Sequence, residues 1–73
     1  MNSIKVSTEV TGNVWKMLVT EGEKITEGHE LLVMESMKME IPLIAPCDGI
    51  VREIRVKEGD SVPEGEVAMI IDK

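Results

Sequence analysis

Gly12-Asn13-Val14-Trp15-Lys16-Met17-Leu18-Val19-Thr20-Glu21-Gly22-Glu23-Lys24-Ile25-Thr26-Glu27-Gly28 returns 37 residues later as Gly49-Ile50-Val51-Arg52-Glu53-Ile54-Arg55-Val56-Lys57-Glu58-Gly59-Asp60-Ser61-Val62-Pro63-Glu64-Gly65. Extended to residues 12–35 and 49–72, the copies align without a gap. Seven of the 24 positions are identical: Gly12/Gly49, Val14/Val51, Val19/Val56, Glu21/Glu58, Gly22/Gly59, Glu27/Glu64 and Gly28/Gly65. Six further pairs keep size or charge: Met17/Ile54, Glu23/Asp60, Ile25/Val62, Val33/Ile70, Met34/Ile71 and Glu35/Asp72. Upstream, Ile4/Ile41 and Val6/Leu43 fall in the same register. This is more matching than chance supplies, so the chain is two copies of one unit, each providing an apolar face for the other to cover.

Within a copy, short apolar runs alternate with turn signals. Val14–Val19 and Ile50–Val56 have strand composition, as do Leu31–Met34 and Val67–Ile71. Glu21-Gly22-Glu23, Glu27-Gly28 and their repeats read as turns, with the glycines at positive φ. Pro42, Pro46 and Pro63 interrupt any long helix, and no segment keeps a 3.6-residue period. The fold class predicted is all-β. Two related four-strand halves packed face to face make a flattened barrel or sandwich.

The two copies meet at Glu35-Ser36-Met37-Lys38-Met39-Glu40. Strands over Glu30–Glu35 and Glu40–Ile44 leave Ser36 to Met39 as a four-residue link, which fits a tight hairpin. A junction hairpin stands at one end of the sandwich, open to a large enzyme. Lys38 there is either one more solvated surface lysine or a presented amine. Met37 and Met39 are either core filler or soft, adaptable flanks. Their arrangement around one lysine at a repeat junction favours the functional reading for all three. Glu35 and Glu40 either keep a hairpin edge soluble or meet a basic surface on a partner, and both readings stand.

The same stretch resembles the Ala-Met-Lys-Met signature of biotinyl domains, with Ser36 where that family has alanine. The resemblance covers essentially the whole chain. It implies a barrel-sandwich hybrid of two four-stranded antiparallel sheets related by a pseudo-twofold axis, with the modified lysine at a hairpin tip. It implies that a biotin protein ligase attaches biotin to Lys38. Ser36, Met37 and Met39 would then flank the cofactor, while Glu35 and Glu40 would face the ligase. The arm would carry carboxyl groups between the biotin carboxylase and carboxyltransferase components of a biotin-dependent carboxylase. The chain would be a carrier with no catalytic site of its own. An amine in neutral water is mostly protonated, so the ligase must supply the deprotonating surroundings. Lipoyl domains share this scaffold but usually present Asp-Lys-Ala, whereas Met37 and Met39 flank Lys38 here. Lipoate is the alternative cofactor, and an unmodified interaction module of the same fold is a third reading.

Composition bounds the rest. Seventy-three residues support a single domain over residues 1–73 with a thin core. The net charge of −6 and a lone aromatic residue, Trp15, oppose nucleic-acid binding. Trp15, paired by the repeat with Arg52, is expected to cover one end of the core. Cys47 is the only cysteine, which fits a reducing compartment. It reads as a small buried hydrophobe rather than the partner of His29 in a catalytic pair or metal site. The N-terminus does not read as a signal peptide, and no apolar run has bilayer length. The expectation is a cytoplasmic monomer, away from membranes. The added protruding segment and Pro/Ala-rich linker of larger biotin carriers find no room between Met1 and Lys73. A minimal free-standing carrier is therefore expected, favoured by Met1 over a domain cut from a longer protein.

Overall fold

The computed structural model describes residues 2–73, and Met1, the expected start of the domain, lies outside the described residues. Eight strands follow one another: β1 (Ser3–Ser7), β2 (Gly12–Met17), β3 (Lys24–Ile25), β4 (Glu30–Ser36), β5 (Met39–Ile44), β6 (Gly49–Ile54), β7 (Ser61–Val62) and β8 (Val67–Asp72). Among the described residues there is no helix. The strands form two antiparallel sheets, ordered β1-β8-β6-β3 and β5-β4-β2-β7. The all-β expectation holds, and so does the internal symmetry. Exchanging the two copies turns the first strand order into the second.

The partition of the halves differs from expectation. The first copy supplies β1–β4 and the second β5–β8, yet neither copy is a sheet: each sheet takes two strands from each copy. Backbone hydrogen bonds lock this exchange in symmetric pairs. Gly22 N–H donates to the Val51 carbonyl at 2.7 Å, and Gly59 N–H donates to the Val14 carbonyl at 2.8 Å. The turn before β3 is thus held by a strand of the other copy, and the turn before β7 likewise. A half alone would leave these groups unpaired and its apolar face wet.

The repeated glycines and acids have local causes. Gly22, Gly28, Gly59 and Gly65 have φ near +90°, where a Cβ is strained. Glu58 Oε2 accepts the Met17 N–H at 2.9 Å, and Glu21 Oε2 accepts the Ile54 N–H at the same distance. Each identical glutamate therefore satisfies the end of a strand in the opposite copy.

Alternation along the strands turns one side of each sheet inward. Val14, Leu31, Leu32, Met34, Val51, Met69 and Ile71 are almost fully buried between the sheets. Burial of each such side chain is worth about 1.5–3 kcal/mol. Cys47 packs half-buried against this cluster. Trp15 does not belong to it, contrary to expectation, and is 46% exposed. Its neighbour Val14 takes the inward place, so the pleat turns Trp15 outward, and the β2–β4 register shift between Val14 and Lys16 leaves Trp15 as the unpaired residue of a β-bulge. Its repeat mate Arg52 sits in the equivalent bulge of β6 and is also exposed.

Candidate functional site

Strands β4 and β5 are neighbours in one sheet and in sequence, with Ser36 opposite Met39, Glu35 opposite Glu40, Met34 opposite Ile41 and Val33 opposite Pro42. Pairing runs right up to Ser36 and Met39. The link is therefore the two-residue turn Met37-Lys38, tighter than the four residues expected, because Ser36 and Met39 remain in the ladder. Met37 has φ 51° and Lys38 φ 65°. Two left-handed residues in a two-residue hairpin make a type I′ turn, whose twist matches that of the flanking strands. Asn and Gly usually occupy such turns. A methionine and a lysine here hold strain of the kind found at functional positions.

The turn thrusts its side chains into solvent. Met37 is 92% exposed and Met39 63%, so neither is core filler. Lys38 is exposed and joins no ion pair among the described residues. A flexible stem ending in an amine is thereby offered with no nearby group bound to it.

The strands beneath are braced from the other side. Ser36 Oγ donates to the Thr11 carbonyl at 2.7 Å, which ties the last residue of β4 to the loop before β2. Thr11 Oγ1 in turn accepts the Glu64 N–H at 2.9 Å. Gly12 lies so close to β4 that a Cβ built there would stand 2.4 Å from the Glu35 carbonyl oxygen. Thr11 and Gly12 were not among the residues singled out by the sequence. Gly12 carried a signal, its identity with Gly49, which makes the same close approach to Asp72. Thr11 carried none.

Glu35 and Glu40 face each other directly across β4 and β5, both exposed, and neither has a cationic partner among the described residues. Like charges placed opposite are unfavourable. At the symmetry-related position the charge is neutralised: Arg52 lies 3.7 Å from Asp72 and donates to Ser3 Oγ at 3.0 Å. The chain ends meet there, with Lys73 N–H donating to the Asn2 carbonyl. Because β1 runs from Ser3 toward Thr11, and Thr11 touches Ser36, the chain ends lie at the opposite end of a body 36 Å long. The structure thus brings Glu35, Ser36, Met37, Lys38, Met39 and Glu40 together at one end.

The family described as biotin-requiring enzyme matches residues 1–71. A biotin/lipoyl attachment protein of Bacillus subtilis is 50% identical over 64 residues, covering 88% of each chain. A homologue of biotinylated protein TB7.3 from Mycobacterium leprae is 39% identical over 66 residues, covering 90% of this chain and 93% of the relative. Among solved structures, the urea carboxylase of Kluyveromyces lactis contains a segment that superposes with a TM-score of 0.92 at 29% identity. That match covers 99% of this chain but 6% of the carboxylase. With a match over nearly its whole length and a relative that shares half of the aligned residues, the chain belongs to the biotin/lipoyl family.

Proposed function

We propose that this chain is a covalent biotin carrier and that Lys38 is its attachment site. The observation that carries the reading is the place of Lys38 at the apex of a two-residue turn, exposed and, among the described residues, outside any ion pair. Family membership supports biotin as the cofactor, and the relatives named for biotin attachment support a carrier role. The residues fit the group. Attachment needs an amine that an enzyme can surround, and Met37 and Met39 give it flexible apolar neighbours.

Biotin, once bound, supplies a ring that carries a carboxyl group between active sites. The protein's part is presentation. Lys38 would present its amine, freed of one proton in the ligase, to the activated carboxyl group of biotin, losing a second proton as the amide forms and the activating group leaves. Glu35 and Glu40 offer two carboxylates to a basic ligase surface. Electrostatic matching of this kind raises association rate and selects partners. The urea carboxylase that contains a superposable segment supports biotin carboxylase and carboxyltransferase components as later partners. The reading takes residues 1–73 as one monomeric carrier domain with no catalytic residues of its own. It places the chain in the cytoplasm, for which the single cysteine of a reducing compartment is the support.

The test is co-expression with a biotin protein ligase, followed by intact mass. The wild type gains the mass of one amide-linked biotin. Lys38→Arg keeps the charge but presents a guanidinium and gains nothing. Equal labelling of both proteins refutes Lys38 as the site. Lipoate is the second reading, favoured by the name of the Bacillus subtilis relative. A wild type that accepts lipoate alone from paired ligases selects it.

A further inference from the structure

The two sheets, related by the internal symmetry, ought to present equivalent outer faces, and they do not. On the sheet that carries Lys38, the row across β2, β4 and β5 is Trp15/Lys16, Val33 and Pro42, with Ile44 one step further along β5. Trp15 is 46% exposed, Ile44 42% exposed, and Pro42 is exposed. The repeat mates on the opposite sheet are Arg52/Glu53, Ile70, Lys5 and Ser7. That face carries the charges of Lys5, Arg52 and Glu53 around Ile70, with Ile50 its one exposed large apolar side chain among the described residues, and is partly self-neutralised through Arg52 and Asp72. The core needs none of the exposed apolar groups, since it closes without Trp15. One sheet presents a charged row and the other a more apolar one, and only the apolar row is continuous with the lysine turn.

We propose that the outer face of the β5-β4-β2-β7 sheet, centred on Trp15, Val33 and Pro42, is the docking surface for the enzyme that acylates Lys38. This rests on the carrier reading above and adds the surface by which the acylating enzyme holds the domain. Two arguments identify the occupant. The first is reach. Before acylation the reacting atom is Nζ, at the end of only four methylenes, so the acylating enzyme must press against the hairpin and the strands just below it. An enzyme that meets the carrier later works at the end of a longer arm and can stand off. Val33 is two residues below Glu35 and four below Met37 along β4, or roughly 7 and 13 Å at the strand rise. The second is charge. The unneutralised Glu35–Glu40 pair lies between the apolar row and the turn, in the same sheet. The complementary surface has an apolar centre and a cationic group beside it. An exposed tryptophan with a charged border has the form of an interface anchor.

The test measures initial rates of biotin attachment at varied concentrations of carrier, with a purified biotin protein ligase, ATP and biotin. Trp15→Arg/Pro42→Lys copies the residues of the opposite face. Trp15→Ser is a second variant, and Lys5→Glu on the other sheet is the control. All sites are exposed, and a melting curve verifies folding. The expected result is a KM raised about tenfold or more for the double variant with kcat within twofold of wild type, the pattern of lost ground-state docking. Trp15→Ser shifts KM in the same direction, and the control leaves it unchanged. A KM within twofold of wild type for both face variants, or a fall in kcat alone, overturns the docking proposal and leaves the carrier reading intact. A wild type that takes no biotin overturns both.

Discussion

Replacing Gly12 by alanine tests the brace beneath the hairpin, and Gly49 provides an internal control. An alanine Cβ at residue 12 would stand 2.4 Å from the Glu35 carbonyl oxygen, 3.1 Å from the Glu35 carbonyl carbon and 3.1 Å from Ser36 Cβ. Ordinary contact begins about 1 Å further out than the shortest of these, and the obstacle is backbone, so it cannot rotate aside. Either β2 or the end of β4 must move. Overpacking of this kind costs about 1–3 kcal/mol. A chain of this length is held by about 4–11 kcal/mol in all, at 0.05–0.15 kcal/mol per residue. Each kcal/mol lost lowers Tm by roughly 4–8 °C in so small a domain. At residue 49 the same Cβ would stand 2.4 Å from the Asp72 carbonyl oxygen and 2.7 Å from Ile71 Cγ2. Thermal melts followed by circular dichroism should therefore show similar losses for Gly12→Ala and Gly49→Ala. Biotin attachment, measured well below both midpoints, should separate them. Gly12→Ala shifts Glu35 and Ser36, two or three residues from Lys38, and slows attachment. Gly49→Ala acts where the chain ends meet and leaves the rate within about twofold of wild type, a margin of under half a kcal/mol. A Gly12→Ala protein as stable as wild type, or a Gly49→Ala protein slowed equally, refutes the reasoning.

Three further outcomes follow from the same geometry. Ser36→Ala removes the 2.7 Å bond to the Thr11 carbonyl at an exposed site and should cost about 0.5–1 kcal/mol in a denaturant titration. No change would mean that water replaces the hydroxyl without loss. Lys38→Ala should change stability by no more than about 0.5 kcal/mol, since alanine and lysine meet the same left-handed strain. Gly59→Val, at φ 94°, should cost more than about 1 kcal/mol, although nothing lies within 4 Å of its Cβ. Equal melting temperatures for these two variants would contradict the strain assignment.

The division between sequence and tertiary structure follows the range of the interactions. Positive-φ glycines, strand composition and the 37-residue register are local or repetitive, so the all-β class, the turns at Gly22, Gly28, Gly59 and Gly65, and the junction hairpin were legible along the chain. The candidacy of Lys38 was legible because a repeat boundary and a distinctive tripeptide coincide there. What the sequence left open depends on pairing between distant residues. The exchange of strands between copies is set by bonds such as Gly22 to Val51, and no periodicity within one copy distinguishes it from two separate sheets. Trp15 read as core because an isolated aromatic in a strand usually is, whereas packing of Val14 between the sheets turned Trp15 outward. Thr11 matters only because folding brings its carbonyl to Ser36, 25 residues away. The unequal outer faces are invisible along the chain, because the rows Trp15–Val33–Pro42 and Arg52–Ile70–Lys5 exist only once three separate strands lie side by side.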